Sequence, residues 1–377
     1  MSARSHERVT AGFELADVLV LGLGPAGACA AAAAARAGAR VIGVDRRVAP
    51  GVPVQCAEFV PTPLGSNVAA LSTNVRQSIA AMRTWVGDDP PDLTAPFPGQ
   101  MLDRDAFDAA LVRAAREAGA DCRFDVPVRR LSAEPALSAG ANRPEPRAVA
   151  HLADGAILAA KVIVGADGPR SLAGRAIGCV NAALVETRQV TVPLHAAHDA
   201  TDIFLAPDIP GGYGWLFPKG ECAHVGAGVD PVAKSRLKAI VARLHAMLVE
   251  QGRVGSEISA LTGGAIPVGG MVGPVGAIGA TPVLLAGDAS GLANPVTGAG
   301  IASAVQSGTL AGEAAAAIVA GDTAAATDYA EELDALFGRS LERALERRRE
   351  LAQAAARGVS KSALRRGWIA YPEYWAA

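Results

Sequence analysis

Asp17-Val18-Leu19-Val20-Leu21-Gly22-Leu23-Gly24-Pro25-Ala26-Gly27 is followed at once by an alanine tract over residues 28–37 and then by Gly38. An aliphatic and β-branched run, a glycine turn and a run of the strongest helix former predict a strand, a tight turn and a helix. Pro25 suits the first turn of that helix and Gly38 suits its end. A second apolar strand over residues 41–44 closes on Asp45. The whole is a βαβ opening, whose strands lie parallel and adjacent through a right-handed crossover. The fold class is therefore α/β.

Gly22, Gly24 and Gly27 satisfy GxGxxG, with Leu23, Pro25 and Ala26 as the variable positions. The first glycine permits the turn, the second lets backbone approach a pyrophosphate, and the third allows the helix to pack closely on the strand. Asp45 comes eighteen residues after Gly27 and is followed by Arg46; it is placed to accept hydrogen bonds from a ribose diol. An acid there disfavours a 2′-phosphate, so FAD or NAD is expected rather than NADP.

Working outward, Phe107, Leu111, Ala114, Ala115 and Ala118 recur at helical spacing over residues 104–119. Residues 120–163 read as a β-meander, and residues 162–166 as a buried strand ending in Asp167-Gly168. Residues 181–275 change character, with short strands, many Gly and Pro, and one helix over 234–251. The strand 283–286 and a helix over about 298–320 return to the first style. An amphipathic helical stretch over 324–357 closes the chain, with Leu333, Leu336, Phe337, Leu341 and Leu345 on one side. The expected division is 13–70, 101–180 and 276–322 for a nucleotide domain in three segments, 71–100 and 181–275 for an inserted substrate domain, and 323–377 for C-terminal helices.

Of 377 residues half are apolar and 19% charged, and Lys plus Arg total 35 against 37 for Asp plus Glu. That balance excludes disorder and gives no global attraction to nucleic acid. No window offers the uninterrupted apolar run of a membrane span. Residues 1–12 are polar and lack a signal-peptide core, which makes the cytoplasm the expected location. Cys29, Cys56, Cys122, Cys179 and Cys222 are widely spaced with no CxxC pair, and the histidines show no metal-ligand spacing, so no metal is expected. His195 and His198 read as solvated. The run Arg343, Arg347, Arg348 and Arg349 reads as a solvated helix face, with contact to anionic lipid headgroups as the alternative. Trp368, Tyr371, Tyr374 and Trp375 either cover a pocket or dock the tail.

Asp167-Gly168 with Ser171 and Arg175, and Gly287-Asp288 with Pro295, Gly298 and Gly300, resemble the DG and GD motifs of the glutathione-reductase-like flavoproteins. That resemblance implies a three-layer FAD-binding domain. It places Asp288 on the ribityl chain, turns the N-terminus of the helix beginning near Ile301 toward the flavin, and sets Arg104 near the FAD. Reduced flavin is readily an anion, and a helix N-terminus favours nearby negative charge by roughly 0.3–2 kcal/mol.

Pro210-Gly211-Gly212-Tyr213-Gly214-Trp215-Leu216-Phe217-Pro218, with Gly226-Ala227-Gly228 after it, resembles the PxxYxWxFPx7GxG signature of the geranylgeranyl reductase family. Every fixed position is present. On a strand, Tyr213, Trp215 and Phe217 share one face and line an apolar pocket, with Pro218 closing the motif. Pro53-Val54-Gln55-Cys56-Ala57-Glu58 is similar to the PxxCGE segment of such reductases, which sets Cys56 near the flavin. Ala57 stands where glycine is usual, and a positive φ there would strain it.

The family reduces isolated double bonds of isoprenoid chains, so the resemblance implies an apolar or lipid substrate in a tunnel roofed by an antiparallel β-sheet. An unactivated alkene accepts hydride poorly and calls for a proton on the neighbouring carbon. A free thiol, with pKa about 8.5, is protonated at neutral pH, so Cys56 is the candidate acid, with a packing cysteine as the bland account. No second GxGxxG follows a strand, which leaves NAD(P)H or a reduced ferredoxin as transient donor. Two rival readings share the scaffold: an FAD-dependent monooxygenase or halogenase, and a non-catalytic flavin- or lipid-binding accessory protein.

Overall fold

The computed structural model describes residues 13–61, 74–134, 147–355 and 358–376. The reading of residues 1–12 and the boundary at 70/71 lie outside them. Phe13–Leu21 and Val41–Val44 form parallel neighbours joined by the helix Pro25–Arg36. Ile157–Gly165 runs parallel to Phe13–Leu21 on its other side, and Thr281–Leu285 parallel to Ile157–Gly165. Asp121–Arg123 adds a parallel edge beside Val41–Val44. The meander expected over 120–163 is therefore shorter than its sequence reading. Among the described residues of that run, Val128–Glu134, Arg147–Leu152 and Ile157–Gly165 fold back antiparallel, while the first strand joins the parallel part of the sheet. A helix precedes Asp121, and a strand delivered by a helix crossover can lie parallel where a hairpin cannot.

The alanine helix needs small residues because it is sandwiched. Its partner is Ile301–Val319, where a Cβ on Gly308 would stand 2.1 Å from the carbonyl oxygen of Ala26. The two backbones meet with no side chain between them, so the buried Ala28, Ala30, Ala31 and Ala34 are small by requirement. Arg104–Glu117 packs Phe107, Leu111, Val112 and Ala115 on the same layer. Each large apolar side chain so buried contributes about 1.5–3 kcal/mol.

The second sheet runs Ala260–Thr262, Leu184–Pro193, Cys222–Val229, Gly214–Lys219, Ala200–Leu205, Ala81–Val86 and Asp92–Thr94, with Ala265–Pro267 also on Leu184–Pro193. It is antiparallel except where Ala81–Val86 lies parallel to Ala200–Leu205. The antiparallel sheet expected from sequence is present, with this one parallel seam, where the two strands come from distant segments and no hairpin dictates their sense. Leu237–Glu250 covers the sheet's outer face, preceded by a 3-10 turn over Pro231–Arg236 rather than by one continuous helix. The C-terminal stretch is Ala325–Leu333, a π-turn over Asp334–Gly338, and Arg339–Ala355.

The arginine run of that last helix is a correction. Arg347 is buried and donates to the carbonyls of Tyr374 and Ala376 and to Glu350. Arg348 donates to the carbonyl of Gly211 at 2.7 Å and pairs with Asp230 at 2.5 Å. These two fasten the tail and the Gly211 turn inside the molecule, so the four arginines do not form one solvated or lipid-facing stripe. His198 is likewise enclosed, between Arg83 and Asp202. No helix among the described residues is long and apolar enough to cross a membrane.

Candidate active site

One cavity of about 770 Å³ lies between the first and second sheets and takes its lining from both. On the first-sheet side are Gly22, Gly24, Pro25, Ala26, Asp45, Arg46, Arg104, Asp167, Gly168, Asp288, Gly298, Gly300 and Ile301; on the other are Tyr213, Trp215 and Phe217, with Cys56 also in the wall.

Three of the expected site residues do not line it. A Cβ on Gly27 would stand 1.7 Å from the Gly22 carbonyl oxygen, so Gly27 sets the helix against the turn from behind. Gly287 turns the chain before Asp288 with φ +62°. Pro218 follows Phe217 on Gly214–Lys219 and therefore faces the opposite side of the sheet.

The carboxylate of Asp45 is engaged from within the protein. Leu23 N–H donates to Oδ2 at 2.8 Å, Arg47 N–H to Oδ1 at 2.8 Å, and the Arg47 guanidinium closes over both oxygens. Burial pushes its pKa up, but these donors more than offset it and hold it below the usual aspartate range. These four donors fill the roughly four acceptor sites of a carboxylate, so a diol at Asp45 has to displace the Arg47 guanidinium. Arg47 lines the cavity and was not singled out by sequence; an arginine two residues past an acid carries no motif of its own.

Asp167 caps the short helix Leu172–Ala176, accepting from Leu172 N–H at 2.6 Å, Ala173 N–H at 3.2 Å and Ser171 Oγ at 2.5 Å. Ser171 is the N-cap rather than part of a helix face, and burial raises the Asp167 carboxyl. Asp288 is half-buried at the cavity wall, where burial lifts its carboxyl to about 6 against a partial pull from Arg104. Beyond it, Asn294 Oδ1 accepts from Val296 and Thr297 N–H, which shapes the turn leading to Ile301–Val319. No side chain caps that helix, so its first amides are open to the cavity side where Gly300 and Ile301 stand.

Cys56 sits between the halves. Glu58 N–H donates to its Sγ at 3.2 Å, and Gln189 Nε2 donates to its carbonyl at 3.2 Å. Gln189 in turn accepts from Trp215 Nε1 at 3.0 Å, so the Cys56 loop and the aromatic wall are linked. Arg104 is held by Asp108 at 3.0 Å and interacts electrostatically with the Cys56 thiol. The strain expected at Ala57 is absent, because the left-handed residue of this loop is Glu58, at φ +65°. The buried Glu58 carboxylate accepts from Arg104 N–H at 3.0 Å, Lys219 Nζ at 2.9 Å and His224 Nε2 at 2.6 Å. These partners hold the loop against both sheets. Sequence reasoning passed over His224 and Lys219 because their partner is more than 160 residues away.

The aromatic wall is built as alternation predicts. Tyr213 and Trp215 have ring centroids 5.7 Å apart and Trp215 and Phe217 6.1 Å, and Tyr213 Oη donates to the Thr297 carbonyl at 2.6 Å. Phe59, Phe97, Met82, Ile203 and Trp368 extend it. The closing aromatics divide between the two roles left open: Trp368 covers the cavity, 4.8 Å from Tyr213, whereas Tyr371 bonds Asp92 and Trp375 is exposed.

These residues fit a dinucleotide with a tricyclic ring. A glycine turn is stripped of side chains, a carboxylate stands at each end of the first-sheet wall, and an uncapped helix points its amides inward. Residues 15–202 match the FAD binding domain family. Digeranylgeranylglycerophospholipid reductase 2 of Methanopyrus kandleri is 31% identical over 300 residues, covering 75% of this chain and 72% of that protein. A geranylgeranyl bacteriochlorophyll reductase-like protein of Thermoplasma acidophilum superposes with TM-score 0.77 at 24% identity, over 96% of this chain and 98% of that one. The myxobacterial chondrochloren halogenase shares the scaffold at TM-score 0.64 and 18% identity, over 88% and 81%. The chain belongs to the geranylgeranyl reductase family of FAD-dependent oxidoreductases.

Proposed function

We propose that this chain saturates carbon–carbon double bonds of an isoprenoid or comparably apolar substrate. The observation that carries the reading is the placing of Tyr213, Trp215 and Phe217 in one cavity with Cys56, Asp288 and the glycine turn. FAD, when bound, supplies the hydride. Gly22 and Gly24 would leave room for its pyrophosphate, Asp288 and, with the Arg47 guanidinium displaced, Asp45 would accept from its hydroxyls, and the open amides before Ile301 would stabilise negative charge. Cys56 holds the proton at Sγ. Because Glu58 N–H occupies a sulfur lone pair rather than the S–H, that proton is free to be donated to the carbon beside the one that takes the hydride. The aromatic wall excludes water and aligns the chain. NAD(P)H or a reduced ferredoxin serves as the electron donor.

The test is anaerobic. Protein whose flavin has been bleached with dithionite is freed of excess reductant and mixed with digeranylgeranylglycerophospholipid. Return of the yellow colour without oxygen is the expected result; a flavin that stays bleached until oxygen enters contradicts the proposal.

A further inference from the structure

A second, smaller cavity of about 340 Å³ lies beside the one already described. Neither the glycine turn nor Asp45 nor Asp288 lines it, so it stands apart from the residues read as holding the cofactor. It shares Gln55, Thr187, Thr262 and Gly263 with the main cavity, and these four form the rim between the two. Gln55 is exposed, so the rim reaches the surface, and it directly precedes Cys56. Gly263 and Gly264 leave the edge of the second sheet bare of side chains there, between Ala260–Thr262 and Ala265–Pro267.

Cations gather around this space. Arg188, Lys234 and Lys238 line it against a single carboxylate, Glu186. That carboxylate is already shared, accepting from Lys234 at 3.0 Å and from Arg170 at 2.6 Å. Arg188 follows Glu186 by two residues on Leu184–Pro193 and so stands on the same face of the strand. It is half-buried, and neither its guanidinium nor the Lys238 ammonium has a partner among the described residues. A guanidinium drawn partly out of water is ordinarily met by an acceptor, and a guanidinium beside an ammonium suits the oxygens of a phosphate. Pro53, Val54, Leu237 and Leu261 supply the apolar part of the lining, so the space takes the head of an amphiphile rather than a bare ion.

We propose that the smaller cavity is the subsite for the phosphate of a lipid substrate, received by Arg188 and Lys238, with the hydrocarbon crossing the Gln55–Gly263 rim into the main cavity. The proposal rests on the reading of the main cavity as a site for an apolar isoprenoid chain. It makes the charged head the fixed point of the substrate and keeps it on the surface side, so that only the chain has to leave water.

A competition tests it. Flavin-loaded protein is incubated in neutral detergent micelles with equimolar digeranylgeranylglyceryl phosphate and digeranylgeranylglycerol, then repurified. The retained ratio is read by mass spectrometry against protein-free micelles. Charge-assisted contacts predict roughly ten-fold enrichment of the phosphate. Arg188→Gln and Lys238→Gln each lower the enrichment and together abolish it, with retention of the neutral lipid unchanged; Lys238 is exposed, so its variant alone carries the test if Arg188→Gln does not fold. Arg113→Gln, at an exposed position of Arg104–Glu117, leaves the enrichment in place. Millimolar inorganic phosphate also leaves it in place, because a head tethered by its chain outcompetes a free ion. Equal retention of the two lipids, enrichment that survives the variants, or enrichment lost to Arg113→Gln or to inorganic phosphate overturns the subsite while leaving the apolar reading intact. Retention of neither lipid overturns both.

Discussion

The Glu58 carboxylate stands 2.6 Å from Nε2 of His224, 166 residues later in the chain, and the same carboxylate accepts from Lys219. This joins the Cys56 loop to the second sheet from within a buried site. Burial pushes the Glu58 pKa up, yet His224 and Lys219 together hold it below the usual glutamate range. A carboxyl lowered by folding contributes stability above its unfolded pKa, and that contribution is lost as pH falls through the folded value. Glu58→Gln is expected to lose about 2 kcal/mol near neutral pH, because His224 and Lys219 lose the anion they share and Lys219 keeps only Asp103. In denaturant titrations below about pH 4 the gap between native protein and variant narrows. An unchanged gap across that range would contradict the assignment.

Asp288 has the opposite sign. Burial lifts its carboxyl to about 6, so its favourable contribution is complete below the ordinary aspartate value and is lost as pH rises through about 6. Flavin-free Asp288→Asn should lack the fall in melting temperature that the native protein shows across that window. On the proposed contact of this carboxylate with the cofactor's hydroxyls, the same variant should bind FAD more weakly, by about ten-fold for a charge-assisted hydrogen bond.

Removing the thiol separates chemistry from binding. Cys56→Ala is expected to retain FAD and substrate while single-turnover reduction of the alkene slows by about 100-fold or more, the usual reach of a positioned acid. Turnover at the native rate would assign Cys56 to packing.

The contact of the two small-residue helices sets one wall of the cavity, through Ala26 and Ala304. Gly308→Ala places a methyl 2.1 Å from the Ala26 carbonyl oxygen, so the helices must part. A loss of about 1–3 kcal/mol is expected, together with a lower yield of yellow protein, because Ala26 lines the cavity. Wild-type unfolding midpoint and flavin content in that variant would contradict this packing.

Much of this could be read from the chain because the motifs are local. Residues 17–45 hold a complete strand–turn–helix–strand unit, and the alternation of Tyr213, Trp215 and Phe217 states its own face. What escaped depends on partners distant in sequence. Arg348 looked like a surface charge until the Gly211 turn and Asp230 met it, and His224 had no meaning without Glu58. The parallel seam between Ala81–Val86 and Ala200–Leu205 is of the same kind, since short strands from separate segments carry no sign of their relative sense. The strain anticipated at Ala57 fell one residue away, at Glu58, because a turn's left-handed position depends on its exact geometry and not on the motif alone.

The most direct test is the mass of the product. Native protein carrying reduced FAD is incubated without oxygen, in deuterated water, with a geranylgeranyl lipid, and the extracted lipid is weighed by mass spectrometry. Saturation predicts the addition of two hydrogens, protium or deuterium, for each bond reduced and no added oxygen. Recovery of unchanged lipid under these conditions, with oxygenated or halogenated product formed only once oxygen is admitted, would contradict it.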